Sequence, residues 1–133
     1  MLAGENRITS GADYRRLVRT GRRVAGTVTL CSARASVPDS PLRMGVIVTK
    51  KVGNAVVRNR VRRRIKAVGW QLAHELTGID IVVRALPASA TASWVTLEAE
   101  VRSAVHELAV PRGPRRRPNA PQAAAEQSVP RPS

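Results

Sequence analysis

Lys50-Lys51-Val52-Gly53-Asn54-Ala55-Val56-Val57-Arg58-Asn59-Arg60-Val61-Arg62-Arg63-Arg64-Ile65-Lys66 starts at the end of an apolar run, turns at Gly53-Asn54 and continues as an amphipathic helix. Val57, Val61, Ile65, Val68, Leu72 and Leu76 follow one another at steps of three or four, the spacing of a single apolar stripe along a helix. Projected at about 100° per residue, Asn59, Arg62, Arg63 and Lys66 fall opposite that stripe, and Arg58, Arg60 and Arg64 flank it. One face therefore enters a core, and the other is a cationic ridge.

A run of charge is most simply a solvated face. Here, however, no carboxylate follows Lys51 until Glu75, so the arginines have no acidic neighbours for i,i+4 pairing. Like charges at that spacing cost roughly 0.2–0.5 kcal/mol per pair. A polyanion relieves the repulsion, and the planar arginine fork suits phosphate. An RNA or DNA backbone is the natural counterpart.

The rest of the chain supports that direction. Its 133 residues are enough for one domain with a modest core. Lys and Arg number 23 against 9 Asp and Glu, a net charge of +14, and the pI near 11.8 points to nucleic acid or an anionic surface. No apolar run reaches the roughly 18 residues of a membrane span, and the first ten lack the apolar centre of a signal peptide. A cytoplasmic protein without membrane contact is expected. Cys31 is the single cysteine, so neither a disulfide nor a thiolate metal cluster is available, and in a strand it reads as a small buried hydrophobe. The only aromatic residues are Tyr14, Trp70 and Trp94, too few for a platform of several stacked bases.

In chain order, residues 1–9 read as an extended arm carrying Arg7. Ser10 and Asp13 have capping-box spacing, predicting a helix over Gly11–Thr20 with Tyr14, Leu17 and Val18 on its apolar side. Residues 24–32 read as a strand, with Val28 and Leu30 alternating against Thr27, Thr29 and Cys31. Residues 43–49 form a second strand, expected to pair antiparallel with the first across a long loop. Ile79–Ala85 is a third strand, its Ile79, Ile81, Val83 and Ala85 facing inward, parallel to the second across the basic helix. A last helix over 92–108 places Trp94, Leu97, Val101, Val105 and Leu108 in the core. From residue 111 onward Pro, Arg, Ala and Ser dominate, dividing the chain into a domain of 1–110 and a disordered tail of 111–133.

Self-contained catalysis is not expected. His74 and His106 have no nucleophile or second His at motif spacing, and the carboxylates are scattered. No P-loop, dinucleotide or zinc pattern occurs.

The segment Arg43-Met44-Gly45-Val46 followed by Thr49-Lys50-Lys51-Val52-Gly53-Asn54-Ala55-Val56-Val57-Arg58-Asn59-Arg60 resembles the signature of the bacterial ribonuclease P protein subunit, whose Arg-Asn-Arg triplet is matched by Arg58, Asn59 and Arg60. Similarity in element order runs from about residue 6 to residue 108. The resemblance implies an α/β (α+β) two-layer sandwich with a mixed central sheet of three to four strands flanked by helices. It also implies a left-handed βαβ crossover, against the general preference of about 98% for the right-handed form.

Functionally, the resemblance implies a protein that assists a catalytic RNA in the magnesium-dependent removal of the 5′ leader of precursor tRNA, one protein per RNA. The RNA carries the chemistry, Mg2+ is held mainly by RNA and substrate, and no protein residue is catalytic. By position, Lys50, Lys51, Asn54, Arg58, Asn59, Arg60, Arg62, Arg63 and Lys66 fall in the RNA-contacting segment. Tyr14, Val18, Arg15 and Arg84 fall at the cleft for the single-stranded leader. Tyr14 keeps a ring where the family usually has Phe, whereas Val18 does not. Arg84 stands one place before the family's basic position, now Ala85, and so points to the other sheet face. The competing readings are a general RNA-binding or ribosomal structural protein, and a DNA-binding module with the basic helix in a major groove.

Overall fold

The computed structural model describes residues 4–8 and 11–110; the predicted tail of 111–133 and the predicted cap at Ser10 lie outside the described residues. Three helices, α1 (Gly11–Thr20), α2 (Ala55–Ala73) and α3 (Trp94–Ala109), accompany four strands, β1 (Arg22–Ala25), β2 (Thr29–Ala35), β3 (Arg43–Ile47) and β4 (Ile79–Ala85). The sheet order is β1-β2-β4-β3. β4 is antiparallel to β2 and parallel to β3, so the sheet is mixed and β3–α2–β4 forms the expected parallel unit.

Two expectations for the sheet are corrected. The stretch 24–32 is not one strand but the arms of a hairpin, because residues 26–28 turn and β1 folds back on β2. The strand at 43–49 does not pair with its predecessor, because β4 lies between β2 and β3. The hairpin signal was hidden, since its turn is stabilised from far along the chain. The Glu100 carboxylate on α3 accepts from the backbone N–H groups of Thr27 (2.9 Å) and Thr29 (2.7 Å), from Val28 N, and from the Thr29 hydroxyl at 2.7 Å. A Cβ on Gly26 would collide with that carboxylate.

Most of the core lies between the sheet and the α2–α3 pair. Val61, Ile65, Val68 and Leu72 of α2 meet Leu97, Val101 and Val105 of α3, with Cys31, Met44, Ile81 and Val83 beneath them. Cys31 is fully buried among these side chains on the same strand face as the buried Thr29, its Sγ 3.9 Å from the Thr29 hydroxyl, and burial pushes its thiol up to about 11. The other face is only partly covered: Leu17 of α1 packs on Val82 and Ile8, with Tyr14 and Ile47 at the margin. Register places Arg43, Gly45 and Ile47 on this α1 side, level with Asp80, Val82 and Arg84 of β4.

β3 is an edge strand, and it is shielded. Arg7 forms a parallel bridge to Met44, Ile8 N donates to Met44 O at 3.1 Å, and Asn6 Nδ2 donates to Leu42 O at 2.7 Å. Gly78 (φ +73) makes the left-handed turn between α2 and β4, where a side chain would also meet the Pro38 backbone.

Candidate nucleic-acid interface

The turn before α2 anchors its apolar member and leaves its lysines outside. Val52 is buried, and its N–H donates to Thr49 O at 3.0 Å, while Lys50 and Lys51 beside it are exposed. Asn54 is the N-cap of α2, accepting from Val57 N at 3.0 Å with an extended backbone. The structure thus gives a structural role to a residue that the sequence reading assigned to RNA contact.

Along α2 the cations separate into two sets. Toward α3, Arg60 Nη2 donates to Ala90 O at 2.8 Å and Arg64 Nη1 to Ala92 O at 3.1 Å, so both guanidinium groups tie the helix to the segment entering α3. Arg60 Nε is buried without a partner. Arg58 Nε donates back to Gly53 O at 3.2 Å. Outward and toward β3, Arg63 is exposed, Lys66 is half-exposed, and Arg62 donates through Nη1 to Asn59 Oδ1 at 2.9 Å. Asn59 thus orients a neighbouring guanidinium.

Two concave surfaces meet at Tyr14. Arg7, Ile8, Tyr14, Met44, Val46, Arg62 and Lys66 line a cavity of about 240 Å³, which brings three cations together without a carboxylate. On the opposite side, Tyr14, Arg15, Val18, Arg19, Arg23 and Ile47 line an open groove of about 410 Å³. Tyr14 lies across β3, its hydroxyl accepting from Val46 N at 3.1 Å. Only glycine permits this, since a Cβ on Gly45 would come within 2.5 Å of the ring. Val18, 38% exposed, continues the apolar floor. Arg84 is exposed beside Ile47 on this same α1 face, whereas Ala85 is buried on the other.

Sequence reasoning missed Arg19, Arg23 and Ile47 as groove residues. Arg23 is placed by the hairpin that was not recognised, and Ile47 shows only as the odd residue of an alternating strand. Arg7 was visible in the arm, but not its approach to α2.

Three acids are engaged by groups outside these two linings. Besides Glu100, Asp80 pairs bidentately with Arg43 at 3.0 and 2.7 Å, raising the Arg43 pKa through hydrogen bonding. Glu75 is gripped by Arg102 at 2.7 and 2.8 Å, and that hydrogen bonding holds its carboxyl below the ordinary value. Among the described residues no three His, Cys, Asp or Glu side chains gather to hold a metal ion.

The geometry is that of a small α+β protein whose basic helix is fastened on one side and offers solvent-facing cations on the other, beside an open groove of about 410 Å³. The ribonuclease P family model matches residues 2–109, and the chain belongs to that family. It is 53% identical over 106 residues to the ribonuclease P protein component of Clavibacter michiganensis, covering 79% of this chain and 94% of that one. Identity to the ribonuclease P protein component of Pseudarthrobacter chlorophenolicus is 45% over 114 residues, covering 82% and 84%. A variant of the Staphylococcus aureus RNase P protein with defective mRNA degradation activity superposes with a TM-score of 0.71 at 25% identity, over 77% of this chain and 86% of that chain. The fold is therefore that of the ribonuclease P proteins. The chain acts as a protein component of this tRNA-processing ribonuclease, in partnership with its RNA. No helix among the described residues is long and apolar enough to cross a membrane.

Proposed function

We propose that this chain binds both the catalytic RNA of ribonuclease P and the 5′ leader of precursor tRNA, and so assists the endonucleolytic release of the leader. The observation that carries the reading is the division at Tyr14: a cavity with Arg7, Arg62 and Lys66 on one side, and a groove floored by Val18 and Ile47 on the other. Lys50, Lys51, Arg58, Arg62, Arg63 and Lys66 neutralise phosphates of the RNA. Asn54 and Asn59 hold the helix start and Arg62 in position. Arg60 contributes mainly by fixing α2 to the segment before α3. The leader follows the groove, with its backbone near Arg15, Arg19, Arg23 and Arg84 and one base against the exposed part of Tyr14.

Bond cleavage belongs to the RNA in this reading. The protein surfaces described above are cationic and carry no gathered carboxylates, which suits phosphate oxygens better than Mg2+. Mg2+, held by RNA and substrate, would supply charge neutralisation and an activated water, while Arg62, Arg63 and Lys66 of the protein lower repulsion between two polyanions. One protein per RNA, acting in the cytoplasm, completes the proposal.

The test is reconstitution. Adding the protein to ribonuclease P RNA at low Mg2+ restores cleavage of precursor tRNA at the mature 5′ end. A general RNA binder, or a protein preferring duplex DNA, leaves the rate at that of the RNA alone.

A further inference from the structure

The solvent face of α2 does not end with its cations. On the helix projection Asn59, Arg63, Lys66, Trp70 and His74 share one outward strip, with Trp70 opposite the buried Val61, Ile65, Val68 and Leu72. Trp70 is 46% exposed, whereas Trp94 packs against the core. Its ring lies 4.6 Å from the His74 ring, tilted by 58°, and His74 Nδ1 is 2.8 Å from the Trp70 carbonyl oxygen. The imidazole is thereby tied to the helix end and braces one side of the indole. Arg63 and Lys66 lie about two turns and one turn earlier, respectively, so roughly 6–11 Å along the axis separates their Cα positions from that of Trp70.

We infer that Trp70, braced by His74, is a stacking site for an unpaired base of the RNA subunit, beyond the cationic part of the interface. The inference rests on the reading that α2 faces RNA. Charge complementarity selects the occupant. The strip leading to Trp70 is positive and has no carboxylate, and the next acid along the chain, Glu75, is engaged by Arg102 and His106 on the α3 side. Phosphates lying on Arg63 and Lys66 bring a neighbouring base within reach of the ring. An aromatic face accepts any base, so this site supplies affinity without sequence preference. His74 acts as a positioning residue, limiting the orientations of the indole before binding.

The experiment uses the full chain and ribonuclease P RNA. In a Trp94→Phe background Trp70 is the sole indole, and its emission should fall as the RNA is titrated in. Trp70→Ala should raise Kd roughly tenfold, the scale of one stacked base, without changing the salt dependence, and Trp70→Tyr should recover most of that loss. Emission that is the same free and bound, a Kd within twofold of the parent for Trp70→Ala, or no recovery with tyrosine overturns the inference. Arg63→Ala separates the two readings. A reduced salt slope there with an inert Trp70 refutes the stacking site alone, whereas unchanged slope and affinity for Arg63→Ala, in the triple variant with Arg62 and Lys66 also replaced, refute the RNA-facing helix itself.

Discussion

The division of the α2 cations predicts opposite consequences for substitutions only two residues apart. Arg62, Arg63 and Lys66 accept no structural duty beyond the Arg62–Asn59 hydrogen bond, which is exposed. Replacing all three by Ala removes up to three phosphate contacts. At about 0.7–0.9 per contact, the slope of log Kobs against log salt should become shallower by roughly 2–3. Folding should not suffer, since Ala is the better helix former and like-charge repulsion is relieved by a few tenths of a kcal/mol per pair. Arg60→Ala does the reverse. It strips Ala90 O of its donor in a half-buried setting, at a cost of about 1–3 kcal/mol, with little change in slope. Binding titrations across a salt series, paired with urea unfolding of the free protein, read both quantities. A triple variant with the parental slope refutes the ridge as the interface. An Arg60→Ala protein with parental stability and a slope reduced by about one refutes the division.

Other perturbations report on the fold around the site. Tyr14→Phe keeps the ring but strands the Val46 N–H, so stability should drop by about 1 kcal/mol while leader affinity persists; Tyr14→Ala should lose both, as measured by urea unfolding and by competition with a leader oligonucleotide. Glu100→Ala orphans several hairpin donors, among them those of the buried residues Val28 and Thr29, and should cost about 3 kcal/mol or more in urea unfolding. The Cys31 thiol ionises near 11 in the fold against 9.0 otherwise; a raised thiol pKa means stability is intact below pH 9 and declines as pH rises toward 11, by up to about 3 kcal/mol. Unfolding midpoints across that range should show the decline, and Cys31→Ala should lack it. Glu75 has the opposite sign: its folded value lies below 4.5, so its contribution is present above that pH and is lost as pH falls beneath it, a loss absent in Glu75→Gln.

The helices were legible because each carries its own periodic stripe. The span Gly11–Thr20 agrees with the sequence reading, and α3 is displaced by only two residues at its start and one at its end. The strand order was not legible. A parallel unit around α2 says that β3 and β4 run the same way, but not that β2 enters beside β4, and the tie that stabilises the first hairpin comes from Glu100, over seventy residues downstream. The site was half legible for a similar reason. Charge and helical spacing mark the ridge and put Arg60 on its flank and Arg63 opposite the stripe, yet they do not reveal that the Arg60 donor finds a carbonyl thirty residues away while Arg63 finds solvent. That distinction appears only once α3 is in place.

The same packing explains how so basic a helix is formed before RNA arrives. Like-charged neighbours three or four apart include 58–62, 60–64, 62–66, 60–63 and 63–66, each costing roughly 0.2–0.5 kcal/mol in an isolated helix. A single fully buried Val or Leu contributes about 1.5–3 kcal/mol, and α2 buries Val61, Ile65, Val68 and Leu72 together. Tertiary burial therefore outweighs the repulsion, and backbone carbonyls accept hydrogen bonds from Arg60 and Arg64 while leaving their charge in place. The repulsion among Arg62, Arg63 and Lys66 stays unrelieved in the free protein, and these are the groups proposed to meet phosphate. On the proposed reading a helix ordered by its buried stripe before RNA arrives would let the relief of that repulsion add to RNA affinity instead of being spent on folding the helix.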